Sequence, residues 1–179
     1  QCSGETYECE NLILYTGSET FIPPIPGVDT VPFWTHRDAL DNKELPASLA
    51  IIGGGVIGIE FASFFNSLGV QVTVIEMLDE ILGGMDKELS ALLRAEYAKR
   101  GIKFMLSTKV VSLAEASSED GKPQVQVNFE NAEGTGSVLA EKLLMSVGRR
   151  PVTKGFGLEN LELKRTERGN ICTNEQMQA

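Results

Sequence analysis

The stretch LAIIGGGVIGIEFASFFNSLGVQVTVIE, Leu49 to Glu76, changes character three times in 28 residues. Its first five residues are apolar without alternation, the pattern of a strand buried on both faces of a parallel sheet. Glycines then crowd the chain at 53, 54, 55 and 58. After them, Ile57, Phe61, Phe64, Phe65 and Leu68 recur at helical spacing and predict an inward helix face, with Gly69 as the stop. VQVTVIE then reads as a second strand that ends on an acid, Glu76. The order strand, glycine turn, helix, strand is one βαβ unit.

Gly53, Gly55 and Gly58 fit G-x-G-x-x-G, and each has a separate steric task. Gly53 permits the tight turn, Gly55 lets a pyrophosphate approach the backbone, and Gly58 lets helix and strand pack closely. A helix N-terminus has unpaired N–H groups and the positive end of the helix dipole, so it suits an anion. Alone the motif is weak, because a glycine turn need hold no ligand; here it has the strand, helix and acid that a dinucleotide site requires. Glu76 stands about twenty residues after the loop, where a carboxylate accepts hydrogen bonds from adenosine ribose hydroxyls and repels a 2′-phosphate. Met77 and Leu78 offer no adjacent cation, so the expected ligand is NAD and not NADP.

The regular α/β pattern continues beyond the unit. Asp86 suits the N-cap of a second helix with Leu89, Leu92, Leu93 and Tyr97 inward and Gly101 at its end. IKFML reads as a third strand. The period then becomes two: TKVVSLAEA, PQVQVNFE and GSVLA alternate between turn-rich segments, a three-stranded antiparallel meander. EKLLMSVG returns as a strand of the parallel sheet. The fold class is therefore α/β, a Rossmann-like parallel sheet with flanking helices and an inserted three-stranded meander. Upstream, NLILYTGS reads as a short apolar strand, IPPIPGVD as a stiff crossing between domains, and DALDNKELPAS as a short helix.

Composition narrows the function classes. The 179 residues are 42% hydrophobic, enough for a sizeable core, and the formal net charge is −9. Such acidity argues against nucleic acid and anionic membranes as partners. The longest apolar run, Leu49 to Ile59, is too short for a bilayer and contains three consecutive glycines. Cys2, Cys9 and Cys172 show neither a C-x-x-C nor a zinc spacing, and they read as reduced thiols in a cytoplasmic protein without a metal site. His36, the one histidine, reads as a surface residue.

GGGVIGIEFASFFNSLGVQVTVIE, GIKFMLSTKV and SVGRRPVT, in this order, resemble the NAD-binding domain of the flavin-dependent pyridine nucleotide–disulfide oxidoreductases. The resemblance runs from about Asn11 to the C-terminus. The dihydrolipoamide-oxidising branch is the most similar, and branches that oxidise NADH or reduce CoA disulfide remain open. It implies an NAD(H) site on Gly53, Gly54, Gly55, Val56, Ile57, Gly58, Ile59 and Glu60, with Glu60 near the nicotinamide. It places Glu76 on the adenosine ribose, Val110 in the adenine pocket and Gly148 beside the dinucleotide. Thr16, Gly17 and Ser18 would touch FAD in the full-length parent only. Gly58 stands where NADP-preferring relatives usually carry alanine, and Arg149 and Arg150 suit a surface pair as well as a ligand contact.

The same resemblance divides the chain. Residues 1–46 correspond to a FAD-domain strand and linker, 47–150 to the NAD-binding domain, and 151–179 to a return toward the FAD domain. A FAD glycine loop, a C-x-x-x-x-C redox pair and a C-terminal His-Glu interface domain are not in the sequence. The expected partners are therefore NAD(H) and the rest of a parent flavoenzyme, itself a homodimer. No catalytic residue is expected in this chain. Two departures stand out: Tyr15 replaces the small residue usual before Thr16-Gly17-Ser18, and Cys2 and Cys9 are misplaced for the redox pair. A free-standing NAD(H)-sensing module is the reading from another class.

Overall fold

The computed structural model describes residues 4–179, so Cys2 lies outside the described residues. The elements run in chain order β1 (Ser18–Thr20), α1 (His36–Asp41), β2 (Ser48–Ile52), α2 (Val56–Ser67), β3 (Gln71–Ile75), α3 (Lys87–Lys99), β4 (Lys103–Met105), β5 (Lys109–Ser117), β6 (Pro123–Asn131), β7 (Gly134–Ala140), β8 (Lys142–Met145) and β9 (Arg149–Pro151). A 3-10 turn follows at Leu158–Asn160. The chain divides into two compact units, residues 20–148 and a smaller one made of the residues up to 19 with 149–179.

The larger unit is built on a parallel sheet in the order β4-β3-β2-β8. β2 lies centrally, with Ser48–Ile52 opposite Gln71–Ile75 on one side and Leu49–Ile52 opposite Lys142–Met145 on the other. Strand geometry sends alternate side chains to opposite faces. Leu49 and Ile51 enter one core with Ile59, Ala62 and Phe65 of α2. Ala50 and Ile52 enter a second core with Leu113, Val125, Val127 and Ala140 of the meander. Helices therefore cover one sheet face and the meander β5-β6-β7 covers the other, which is why β2 reads as apolar throughout. Burying side chains of this size stabilises the fold by about 1.5–3 kcal/mol each.

The expected rotation of α2 needs correction. Its buried residues are Gly58, Ile59, Ala62 and Phe65. Phe64 and Leu68 are instead 55% and 46% exposed. The close approach of Gly58 to the strand fixes the helix about its axis, and this turns Phe64 and Leu68 outward. α3 shows a similar offset. Asp86 caps it as expected, accepting from the Glu88 N–H at 2.9 Å and the Leu89 N–H at 3.3 Å. Leu93 and Tyr97 pack inward with buried Ser90, but Leu89 and Leu92 are each 62% exposed. The inward stripe is 90–93–97, one step away from the most apolar positions.

The expected strand over Asn11–Ser18 is not formed; the strand there is Ser18–Thr20, which pairs with β9. Leu12, Ile13, Leu14 and Tyr15 are exposed. An extended run keeps strand form only beside a hydrogen-bonding neighbour, and among the described residues the backbone bonds of this run begin only at Gly17, whose carbonyl accepts the Val152 N–H. The proline-rich segment is more than a crossing. The Pro26 carbonyl accepts the Leu113 N–H at 2.8 Å, and Val28 and Val31 are buried in the meander core. By compactness, residues 20–46 group with the sheet. Among the described residues no helix is long and apolar enough to cross a membrane, and no three His, Cys, Asp or Glu side chains are grouped to hold a metal.

Candidate dinucleotide-binding site

β2 runs directly into the glycine loop. Gly53 extends the ladder by one bond, its N–H donating to the Ile75 carbonyl at 2.9 Å, and then turns with φ +104°. A side chain there would be strained and would meet the backbone of Ser146. Gly58, one turn into α2, is pressed against the loop: an added Cβ would overlap the Gly53 carbonyl oxygen and lie 3.3 Å from Ile51 Cγ2. Gly55, the N-cap of α2, has open space where a Cβ would point. No side chain caps α2 and no acid lies in its first turn. The first-turn N–H groups thus have no side-chain partner, and the helix dipole favours negative charge at this end.

Glu76 is tied into this loop from the end of β3. Its Oε2 accepts the Gly54 N–H at 2.5 Å and its Oε1 accepts the Leu78 N–H at 2.8 Å. Both oxygens keep a lone pair for a further donor. The Thr108 N–H donates to the Glu76 carbonyl at 2.9 Å, and this brings the start of β5 alongside.

A cleft of about 380 Å³ opens at the carboxyl ends of β2, β3 and β8. It lies where the strand order reverses, β3 on one side of β2 and β8 on the other, the position at which open α/β sheets bind ligands. Ile52 and Gly53, Ile75 to Met77, Thr108 to Val110, and Val147 line it. Phe21, Pro23 and Ile25 close one wall. Gly53, Glu76 and Val110 are therefore brought together at one cleft. Gly148 follows Val147 with φ +128°, and its carbonyl accepts the Phe21 N–H at 3.0 Å. Val56, Ile57 and Ile59 occupy the first turns of α2, with Val56 exposed and Ile59 buried.

Other expected residues lie elsewhere. Glu60 is exposed and lines a larger groove of about 460 Å³ between α1 and α2, with Leu40, Leu45, Phe61, Phe64 and Leu68. Neither the glycine loop nor Glu76 borders that groove. Thr16, Gly17 and Ser18 belong to the smaller unit. There Thr16 Oγ1 donates to the Val152 carbonyl at 2.6 Å, and the Gly17 carbonyl accepts the Val152 N–H at 3.0 Å. Arg149 Nε donates to Ser18 Oγ at 2.9 Å and Arg150 pairs with Glu19 at 2.8 Å, so both arginines have structural partners. Cys9 and Cys172 are free and exposed.

The sequence reading missed two sets of lining residues. Phe21, Pro23 and Ile25 sit in a segment that looked like a connector; its isoleucines and prolines were the available signal. Lys109 also lines the cleft with Glu76, paired to Glu130 at 2.9 Å. The sequence neighbours Met77 and Leu78 are uncharged, and the cation on this cleft comes from β5, distant in sequence.

The sequence model of the family described as pyridine nucleotide-disulphide oxidoreductase matches residues 1–179. The mitochondrial dihydrolipoyl dehydrogenase of Dictyostelium discoideum is 38% identical over 170 residues, covering 94% of this chain and 34% of that protein. The dihydrolipoyl dehydrogenase of Acholeplasma laidlawii is 39% identical over 180 residues, covering 98% of this chain and 50% of that protein. Among solved structures, the HOCl-induced flavoprotein disulfide reductase RclA from Escherichia coli superposes with a TM-score of 0.79 at 31% identity, covering 91% of this chain and 36% of that one. The chain thus spans a third to a half of the length of these relatives. With a family match over its whole length, this chain belongs to the pyridine nucleotide-disulphide oxidoreductase family.

Proposed function

We propose that residues 20–148 bind NAD(H) for a flavoenzyme that oxidises dihydrolipoamide. The observation that carries this reading is a single glycine loop that opens α2 at the uncapped Gly55 and is tied through Gly54 to Glu76, the acid that lines the strand-end cleft. The residues fit the ligand. The pyrophosphate would meet the first-turn N–H groups of α2 at Gly55, Val56 and Ile57, where a Cβ on residue 55 would intrude. Glu76 would accept the ribose hydroxyls through its remaining lone pairs, already oriented by Gly54 and Leu78. Val110 and Met77 offer apolar contact to the adenine. Glu60 and Gly148 are assigned to the nicotinamide half.

In the parent enzyme, NAD and FAD carry the redox chemistry, and this chain's task is binding and orientation. Thr16, Gly17 and Ser18 are assigned to FAD only in that parent, a homodimer. Exposed free thiols at Cys9 and Cys172 fit a reducing, cytoplasmic setting. The likeness to the Escherichia coli reductase supports a second reading, the same domain serving a flavoenzyme with another substrate.

Calorimetric titration with NADH and NADPH tests the proposal. Repulsion between Glu76 and a 2′-phosphate is worth on the order of 1–4 kcal/mol at contact range. Lys109, held by Glu130, offsets only part of it. NADH is expected to bind at least about tenfold tighter than NADPH. Equal affinities would remove Glu76 from the ribose site, and no binding of either would end the proposal.

A further inference from the structure

Both backbone groups of Gly54 are held from outside the glycine loop. Its N–H donates to Glu76 Oε2 at 2.5 Å, and its carbonyl accepts the Leu82 N–H at 2.8 Å. Leu82 has φ +55°, in the left-handed region. A leucine stays there only when its surroundings over-determine it. Two anchors do so. On the far side, the Met85 N–H returns to the Leu82 carbonyl at 3.0 Å, just before the Asp86 cap of α3. On the near side, Ile81 is buried, and its Cγ2 lies 3.2 Å from where a Cβ of Gly54 would stand.

The Ile81 peptide is fixed by a side chain. Glu80 Oε1 accepts the Ile81 N–H at 2.9 Å and Arg94 Nε at 2.8 Å, while Oε2 accepts the second guanidinium nitrogen at 2.9 Å. This fork-to-fork pair joins the loop to the middle of α3, and its side chains are only 13% and 32% exposed. A bidentate Arg–carboxylate pair fixes geometry as well as charge. The other ion pair at this loop, Lys87–Asp79, is open to solvent on both sides.

We infer that Glu80 and Arg94 are positioning residues for the dinucleotide site: their pair holds Ile81 and Leu82 so that the Leu82 N–H orients the Gly54 peptide and sets the loop in its binding form. This rests on the NAD(H) reading for its consequence in binding, but not for the loop geometry. With Gly54 occupied on both sides, the donors left for phosphate are those of Gly55 onward. Without the pair, the loop would spend only part of its time in the competent form, and apparent affinity falls by that fraction.

The test measures amide exchange by NMR on the ligand-free chain and NADH affinity by titration, in Arg94→Met, Arg94→Lys, Glu80→Gln and Lys87→Met. Arg94→Met and Glu80→Gln are expected to speed exchange at the Leu82 amide by about tenfold or more and to raise the NADH Kd by about threefold or more. Arg94→Lys, which keeps charge but not the fork, is expected to fall between. Lys87→Met is expected to match wild type. Should Arg94→Met fail to fold, the nearly isosteric Glu80→Gln carries both readouts. Unchanged Leu82 exchange in Glu80→Gln, or an equal change in Lys87→Met, would overturn the inference. So would exchange that changes while a wild-type chain that binds NADH keeps its Kd in the variants. A wild-type chain that binds no NADH refutes the NAD(H) proposal instead, and the exchange arm still decides whether the pair holds the loop.

Discussion

Gly55 and Gly58 sit three residues apart at the start of α2, yet alanine at each should do different damage. An alanine Cβ at 58 would overlap the Gly53 carbonyl oxygen and press on Ile51 Cγ2 at 3.3 Å. Backbone is the unyielding partner, so α2 must shift away from β2. Overpacking of this kind costs about 1–3 kcal/mol. Replacing a helical glycine by alanine returns up to about 1 kcal/mol of helix propensity. Because the overlap is with backbone, the overpacking falls in the upper half of that range, and the net loss should be about 1–2 kcal/mol, a fall in Tm of roughly 2–8 °C for a chain of this size. An alanine Cβ at 55 meets nothing within 4 Å, and φ there is −72°, open to any residue. Alanine is a poorer N-cap than glycine by about 0.5–1 kcal/mol, which the lower unfolded-state entropy of alanine at this allowed φ largely offsets, at about 0.4–1 kcal/mol. Its binding cost should be large, because the Cβ fills the approach to the first-turn N–H groups. Thermal melts and NADH titrations of Gly55→Ala and Gly58→Ala separate the two. Expected are a near-native Tm with a Kd raised about tenfold or more for Gly55→Ala, and a lowered Tm for Gly58→Ala. A Gly55→Ala chain that binds NADH like wild type, or a Gly58→Ala chain that melts like it, would refute this account of the loop.

Two further outcomes follow from the same structure. Arg94 holds the Glu80 carboxyl below its ordinary value of 4.5, chiefly by direct hydrogen bonding. A depressed carboxyl contributes stability that is fully present above the unfolded value and lost as pH falls through the folded one. The stability gap between wild type and Arg94→Met, measured by urea unfolding, should therefore be widest above about pH 5 and narrow toward pH 3; a gap independent of pH would mean the pair contributes through packing alone. Thr16 to Ser18 supply too few contacts to retain a large flavin, since ordering the ligand offsets a small contact area. The purified chain should be colourless and inactive with dihydrolipoamide even with added FAD, and visible flavin absorbance or turnover would contradict this.

Much of the architecture was legible along the chain because it is governed by short-range sterics. The glycine spacing at 53, 55 and 58, the Asp86 cap, and the change of period from helix to alternating strand each act within a few residues, and the corresponding elements formed. The placement of Glu76 at the cleft followed from the length of one βαβ unit. Tertiary packing decided the rest. Leu89 and Phe64 are apolar enough to face inward, but the Gly58 contact and the 90–93–97 stripe set the helix rotations, and both point to solvent. Asn11 to Tyr15 had the composition of a strand but no neighbouring ladder among the described residues. The meander covers the second face of the sheet and carries Lys109 to the same cleft as Glu76, although 32 residues separate them. Hydrophobicity and turn chemistry act through adjacent residues and leave their trace in a linear pattern. Which face packs, and which distant side chain shares a cleft, is set by the fit between elements, and no short window of sequence contains both partners.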